Sequence, residues 1–198
     1  MSYDSTPDTK AHIARVAQLL NEFAAEMNRR GLVHDQSKLA DPEKALFDEY
    51  TPKLKDCTYG SDEYKSFLSG LKPALDNHYA HNSHHPEHYP WHCPACGWQG
   101  NGKAFNEAPR IAPGITAYCP ECSDISIIYE TELMHKPELG VHGMDLFDLV
   151  EMFFDWKAAT ERMDSGNIYK SIVINRKRFN LSDQLADILY NTAKRLGY

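Results

Sequence analysis

Between Thr9 and Arg30 apolar side chains return every three or four positions, at Ile13, Val16, Leu19, Leu20, Phe23, Ala24 and Met27. That is the period of an α-helix with one apolar stripe, and Gly31 is placed to end it. The same period recurs in 43–55, in 61–77, across GMDLFDLVEMFFDWKAATER, and in 181–196. A stripe of this kind has to be covered, so the pattern predicts a mainly helical protein. Phe47, Tyr50, Tyr64, Phe67, Leu68, Leu71 and Leu75 are the core positions expected of the two central segments. Leu146, Leu149, Val150, Phe153, Phe154 and Trp156 are those expected of the later one.

The helical period stops at the motif CPAC, Cys93 to Cys96, and a matching CPEC follows at Cys119 to Cys122. Two such knuckles at this separation have the spacing of a four-cysteine structural zinc site, in which thiolates close a tetrahedron around Zn²⁺. A ribbon this small builds no core of its own, so the metal would stabilise it. The reading is therefore a helical domain of 1–92 and 136–198, with a zinc ribbon inserted at 93–135. Residues 125–132 (ISIIYETE) are expected as a strand leaving the ribbon. Cys57 has no Cys or His neighbour and reads as an incidental thiol.

Composition narrows the function classes. A formal net charge of -7 argues against a protein that coats nucleic-acid backbone, which needs a basic footprint. No apolar run reaches membrane-spanning length, and the start MSYDSTPDTK has no signal-peptide character. With cysteines in metal-type pairs, the expected compartment is the reducing cytoplasm.

Six of the ten histidines fall in HYAHNSHHPEHYPWH, at 78, 81, 84, 85, 88 and 92. Imidazole is the commonest metal ligand, so this density points to metal chemistry, with a solvated loop as the bland alternative. Pro86 should stop a helix before it, leaving His84 and His85 at a helix end. Further candidates lie apart in sequence: His12 on the edge of the first stripe, and the adjacent pair His34-Asp35. Asp148, Glu151 and Asp155 share one side of a strongly apolar helix, where acids are costly unless paired. Arg176, Lys177 and Arg178 form a local basic patch suited to phosphate or to plain solvation.

Taken in order, His12, His34-Asp35, His78, His84-His85 and an Asp on the 145–155 helix resemble the H…HD…D signature of the HD-domain phosphohydrolase superfamily. HDQSKL is similar to the HDxGK form of some members. NSHHPEHY and DLVEMFFDWKAA look like an uncharacterised bacterial and bacteriophage family within that frame. The resemblance implies a helical bundle with one or two catalytic divalent metals. It makes His34 and Asp35 the central ligands and completes the first site with His12 and either Asp148 or Asp155. His78, His84 and His85 would supply a second metal or bind the scissile phosphate. Lys38 stands where some nucleotidases carry a catalytic Glu.

The implied chemistry is hydrolysis of a phosphate ester or anhydride, the substrate being a small phosphorylated compound such as a nucleotide. His and carboxylate donors suit Mn²⁺, Fe²⁺, Co²⁺, Ni²⁺ or Zn²⁺. Asp35, Lys38 and Glu151 are the candidates for catalysis, Glu151 as a proton shuttle. Lys38, Arg162 and Arg178 are candidates for holding phosphate, and His81 and His88 for lining the pocket or backing the ligands. No membrane or nucleic-acid partner is expected, and a homo-oligomer fits the reading. The competing class is a non-catalytic zinc module that binds a protein or nucleic-acid partner through its ribbon.

Overall fold

The computed structural model describes residues 3–57, 61–89, 91–92, 95–100, 121–122, 140–162 and 166–198. The protein is mainly helical, with six α-helices among the described residues. It divides into two compact units, residues 1–36 and 37–198. No helix of the described residues is long and apolar enough to cross a membrane.

The first unit is built on α1 (Thr6–Val33), 28 residues long, with Pro7 in its first turn. Pro is tolerated there because the first helical N–H groups have no intrahelical acceptor. On its surface Arg29 grips Glu26 with two hydrogen bonds of 2.7 and 2.6 Å. The stripe forms as the periodicity predicts, but its burial does not follow. Ile13 and Leu20 are 61% and 64% exposed, and no residue of the helix is buried. Phe23 and Met27 are half-buried.

In the second unit α2 (Glu43–Asp56) packs along α3 (Asp62–His81). Ser61 caps α3 by accepting from the Tyr64 N–H at 3.1 Å. Leu71 and Ala74 are buried between the elements, while Phe47, Tyr50, Tyr64, Phe67, Leu68 and Leu75 are half-buried. The two helices approach closely at Gly70, where any Cβ would run into the Tyr50 ring. Asn82 then takes extended backbone, so α3 stops one turn earlier than Pro86 requires. The chain turns through Ser83–His85 into a 3₁₀ turn, Pro86–His88. Beyond it β1 (Trp91–His92) pairs antiparallel with β2 (Gln99–Gly100).

The principal core lies among α4 (Leu146–Glu161), α5 (Ile168–Phe179) and α6 (Asp183–Arg195). Met152, Phe153 and Trp156 from α4 meet Ile168 and Ile172 from α5, and Ala186, Leu189 and Ala193 from α6. Each large apolar side chain buried there contributes roughly 1.5–3 kcal/mol. Phe153 and Trp156 match expectation. Leu146 and Phe154 point outward, at 60% and 42% exposure.

Sequence periodicity did not predict α5. Its run Ile172-Val173-Ile174 is β-branched and favours a strand locally. Three features override that preference: Asn167 caps the start by accepting from the Tyr169 and Lys170 N–H groups, and Ile168 and Ile172 point into the core. At the other end Asn180 adopts the left-handed conformation (φ 52°), and the Leu181 N–H returns to the Arg176 carbonyl at 3.0 Å.

Candidate metal centre

The end of α3 and the turn after it bring three histidines together. One ring nitrogen from each of His78, His84 and His85 lies within 4.8 Å of the others. Nitrogens bound to one ion can be at most about 4.2 Å apart, twice the usual bond of about 2.1 Å. The cluster is therefore at, or a few tenths of an ångström beyond, the spacing of a single site. His78 and His84 are buried, at 1% and 2% exposure. Nε2 of His78 is 2.9 Å from Nε2 of His85. Two bare lone pairs at that distance repel, so the pair requires a proton or a cation.

Carboxylates hold two of the rings from behind, both through Nδ1. Glu43 Oε2 is 3.0 Å from His78 Nδ1, and Glu151 Oε1 is 3.1 Å from His84 Nδ1. This is the arrangement by which proteins orient imidazole ligands and raise their basicity. The donor set, imidazole with carboxylate near by, suits a first-row divalent ion of the Mn²⁺ to Zn²⁺ series. The residues present fit such an ion.

Below the cluster Asp148 forms a hub. It is 3% exposed and sits at the start of α4. Ser83 donates to its Oδ1, and Tyr89 O–H donates to its Oδ2 at 2.7 Å. It also completes a capping box with Asp145, the two backbone N–H groups being bound at 2.9 and 3.3 Å. Gly143 lets the Tyr89 ring lie against the backbone, where a Cβ would stand 2.6 Å from the ring. Burial, with help from the bond to Asp148, pushes the Tyr89 phenol up, so it remains a donor at neutral pH. Ser83 and Asp148 thereby tie the turn carrying His84 and His85 to α4.

A second tie reaches the same turn. Arg178 at the end of α5 binds Glu87 at 2.7 Å, so its guanidinium faces a carboxylate. Tyr79 lies beside this pair. Burial, and then the charge of Glu87, raise its phenol to about 12.

The remaining candidates are placed as follows. His12 is exposed on α1. In the first unit His34 and Asp35 follow α1, with His34 Nε2 3.5 Å from Asp35 Oδ2 and Asp35 in the left-handed region at φ 56°. Lys38 sets its ammonium 5.1 Å from the Phe47 ring centre. His81 donates to the Asn77 carbonyl at 2.8 Å and His88 to the Tyr79 carbonyl at 2.7 Å, so each spends one ring nitrogen on backbone. Asp155 is half-buried on α4, and Arg162 is exposed at its C-cap. Cys96 and Cys122 are exposed. Cys93, Cys119, the expected strand at 125–132 and most of 93–135 lie outside the described residues.

Sequence reasoning missed Glu43, Ser37, Asn82, Ser83 and Tyr89. Glu43 follows Pro42 at a helix start, where an acid ordinarily reads as a partner of the helix dipole. Nothing local marks it as buried.

Fold and site together define a mainly helical protein carrying a three-histidine cluster backed by two carboxylates, one of them fully buried. The chain belongs to DUF5662, a family of unknown function, whose model matches residues 1–104 and 129–195. The unmatched stretch, 105–128, falls inside the segment read from sequence as an insertion. No curated protein and no solved structure matches the chain.

Proposed function

We propose that this protein is a metal-dependent phosphohydrolase acting on a small phosphorylated substrate such as a nucleotide. The observation that carries the reading is the convergence of His78, His84 and His85 with two of the three rings held through Nδ1 by carboxylates, the buried Glu43 and the partly buried Glu151. In this reading the three imidazoles hold a divalent ion. When bound, such an ion lowers the pKa of water and offsets charge developing on a phosphoryl group. Glu151 holds His84 and, in this reading, exchanges a proton with the leaving group. The HD-domain resemblance assigns His34 and Asp35, and His12 with Asp148 or Asp155, to the same chemistry. The bundle would then be HD-like and would work in the cytoplasm. The two CPxC pairs at Cys93, Cys96, Cys119 and Cys122 would hold a structural zinc.

The test compares wild type with His84→Ala and Asp35→Ala for bound metal by elemental analysis and for phosphate release from a nucleotide panel. The expected result is a divalent ion beyond about one zinc per chain, with ion-dependent phosphate release lost in both variants. If wild type takes up no such ion and releases no phosphate with any ion of the series, the proposal fails.

A further inference from the structure

We infer that Glu43 is a positioning residue that fixes which nitrogen of His78 faces the centre. This rests on the histidine cluster being the metal site proposed above.

Three groups crowd His78 Nδ1: Glu43 Oε2 at 3.0 Å, Ser37 Oγ at 3.1 Å and Asn82 Nδ2 at 3.0 Å. A ring nitrogen has one in-plane direction, so it takes one partner and plays one role. Counting hydrogens decides which. Ser37 has a single hydroxyl hydrogen and donates it to Glu43 Oε2 at 3.0 Å. The Asn82 amide has two, one given to Ser37 Oγ at 3.0 Å and the other to the His78 carbonyl at 2.8 Å. Neither group has a hydrogen left for Nδ1. An ionised carboxylate has none to give. With Glu43 ionised, the arrangement that gives each of these donors an acceptor puts the proton on Nδ1, donated to Glu43 Oε2, and leaves the lone pair on Nε2. That nitrogen is the one 2.9 Å from His85 Nε2.

The surroundings of Glu43 point the same way. It is fully buried, and its Oε1 has no hydrogen-bond partner among the described residues. Its one ion-pair partner among the described residues is His78. A buried carboxylate so placed is costly unless positive charge reaches it. An ion held on Nε2 would supply that charge through the ring.

Imidazole ¹⁵N shifts of the metal-free protein at pH 8, with His78 identified by its loss in His78→Gln, read the tautomer directly. Calorimetric titration with Co²⁺ then compares wild type, Glu43→Gln and Glu43→Asp. The inference expects the Nδ1–H form in wild type, a 10- to 100-fold weaker Co²⁺ affinity in Glu43→Gln, and partial recovery in Glu43→Asp. Ile172→Ala, destabilised in the distant core, should bind Co²⁺ as wild type does. A proton on Nε2 of wild-type His78, or unchanged affinity in Glu43→Gln, overturns the inference. If wild type binds no ion, the proposed function fails and the tautomer alone judges Glu43. The same spectrum decides if Glu43→Gln does not fold.

Discussion

Asp148 is one of two acids that sequence reading could not separate as a metal ligand, and its environment allows a sharp prediction. A carboxylate offers about four acceptor directions. Ser83, Tyr89 and the Asp145 N–H occupy three of those on Asp148. Replacing it by Ala strands two hydroxyls in a half-buried region and dismantles the capping box. Hydrogen bonds to a charged acceptor contribute about 1.5–3 kcal/mol each and a helix cap about 1 kcal/mol. They share one acceptor and do not add fully, so the expected cost is about 3–5 kcal/mol. For a chain of this size that lowers Tm by roughly 6–20 °C. Asp148→Asn keeps the shape but sets an amide hydrogen against one of the two donors, and should cost less, about 1–3 kcal/mol.

The assay pairs denaturant and thermal unfolding with a Co²⁺ titration of the same samples. Asp148→Asn is expected to unfold earlier while still binding the ion, and Tyr89→Phe should be strongly non-additive with it. The reasoning is refuted if Asp148→Asn is as stable as wild type yet no longer binds, which would make the residue a ligand and not a tie.

Two further predictions test the frame around the site. Ile172→Ala should destabilise by about 2–5 kcal/mol because Ile172 is 3% exposed in the main core. Its neighbour Val173, 58% exposed, should tolerate Ala within about 0.5 kcal/mol. Equal costs in chemical denaturation would mean that α5 faces another way. For Tyr79, raised from 10.0 to about 12, folding favours the neutral phenol. Its contribution is complete below pH 10 and is lost as pH rises through 12. Tyr79→Phe should therefore flatten the fall of unfolding free energy over that window, and an unchanged slope would contradict the assignment.

The helices were legible because burial writes its period into sequence. Five segments were found that way, and α1 shows the limit of the method. Its stripe predicts the helix correctly but says nothing of how far the stripe is covered. Segment α5 was illegible for the opposite reason, since Ile172, Val173 and Ile174 have strand-like local preferences. The cap at Asn167 and the core contacts of Ile168 and Ile172 decide its state, and those contacts come from α4 and α6. Arg178 illustrates the same gap for charge. A basic patch in an acidic chain suggests an anion, and the anion it meets is Glu87, far away in sequence.

The site divides along the same line. Residue type and density single out the stretch from His78 to His92, and the family resemblance narrows it to His78, His84 and His85. What sequence does not carry is which of the two ring nitrogens each histidine presents. That choice is made by groups the chain supplies from elsewhere: Glu43 and Ser37 from the start of the second unit, and Glu151 from α4. Both carboxylates sit at Nδ1, so both rings are held with Nε2 turned away from the acid. For His78 the hydrogen count, with Glu43 ionised, favours the proton on Nδ1. If an ion binds here, it binds His78 through Nε2, and a ligand set read from the sequence alone could not have said so.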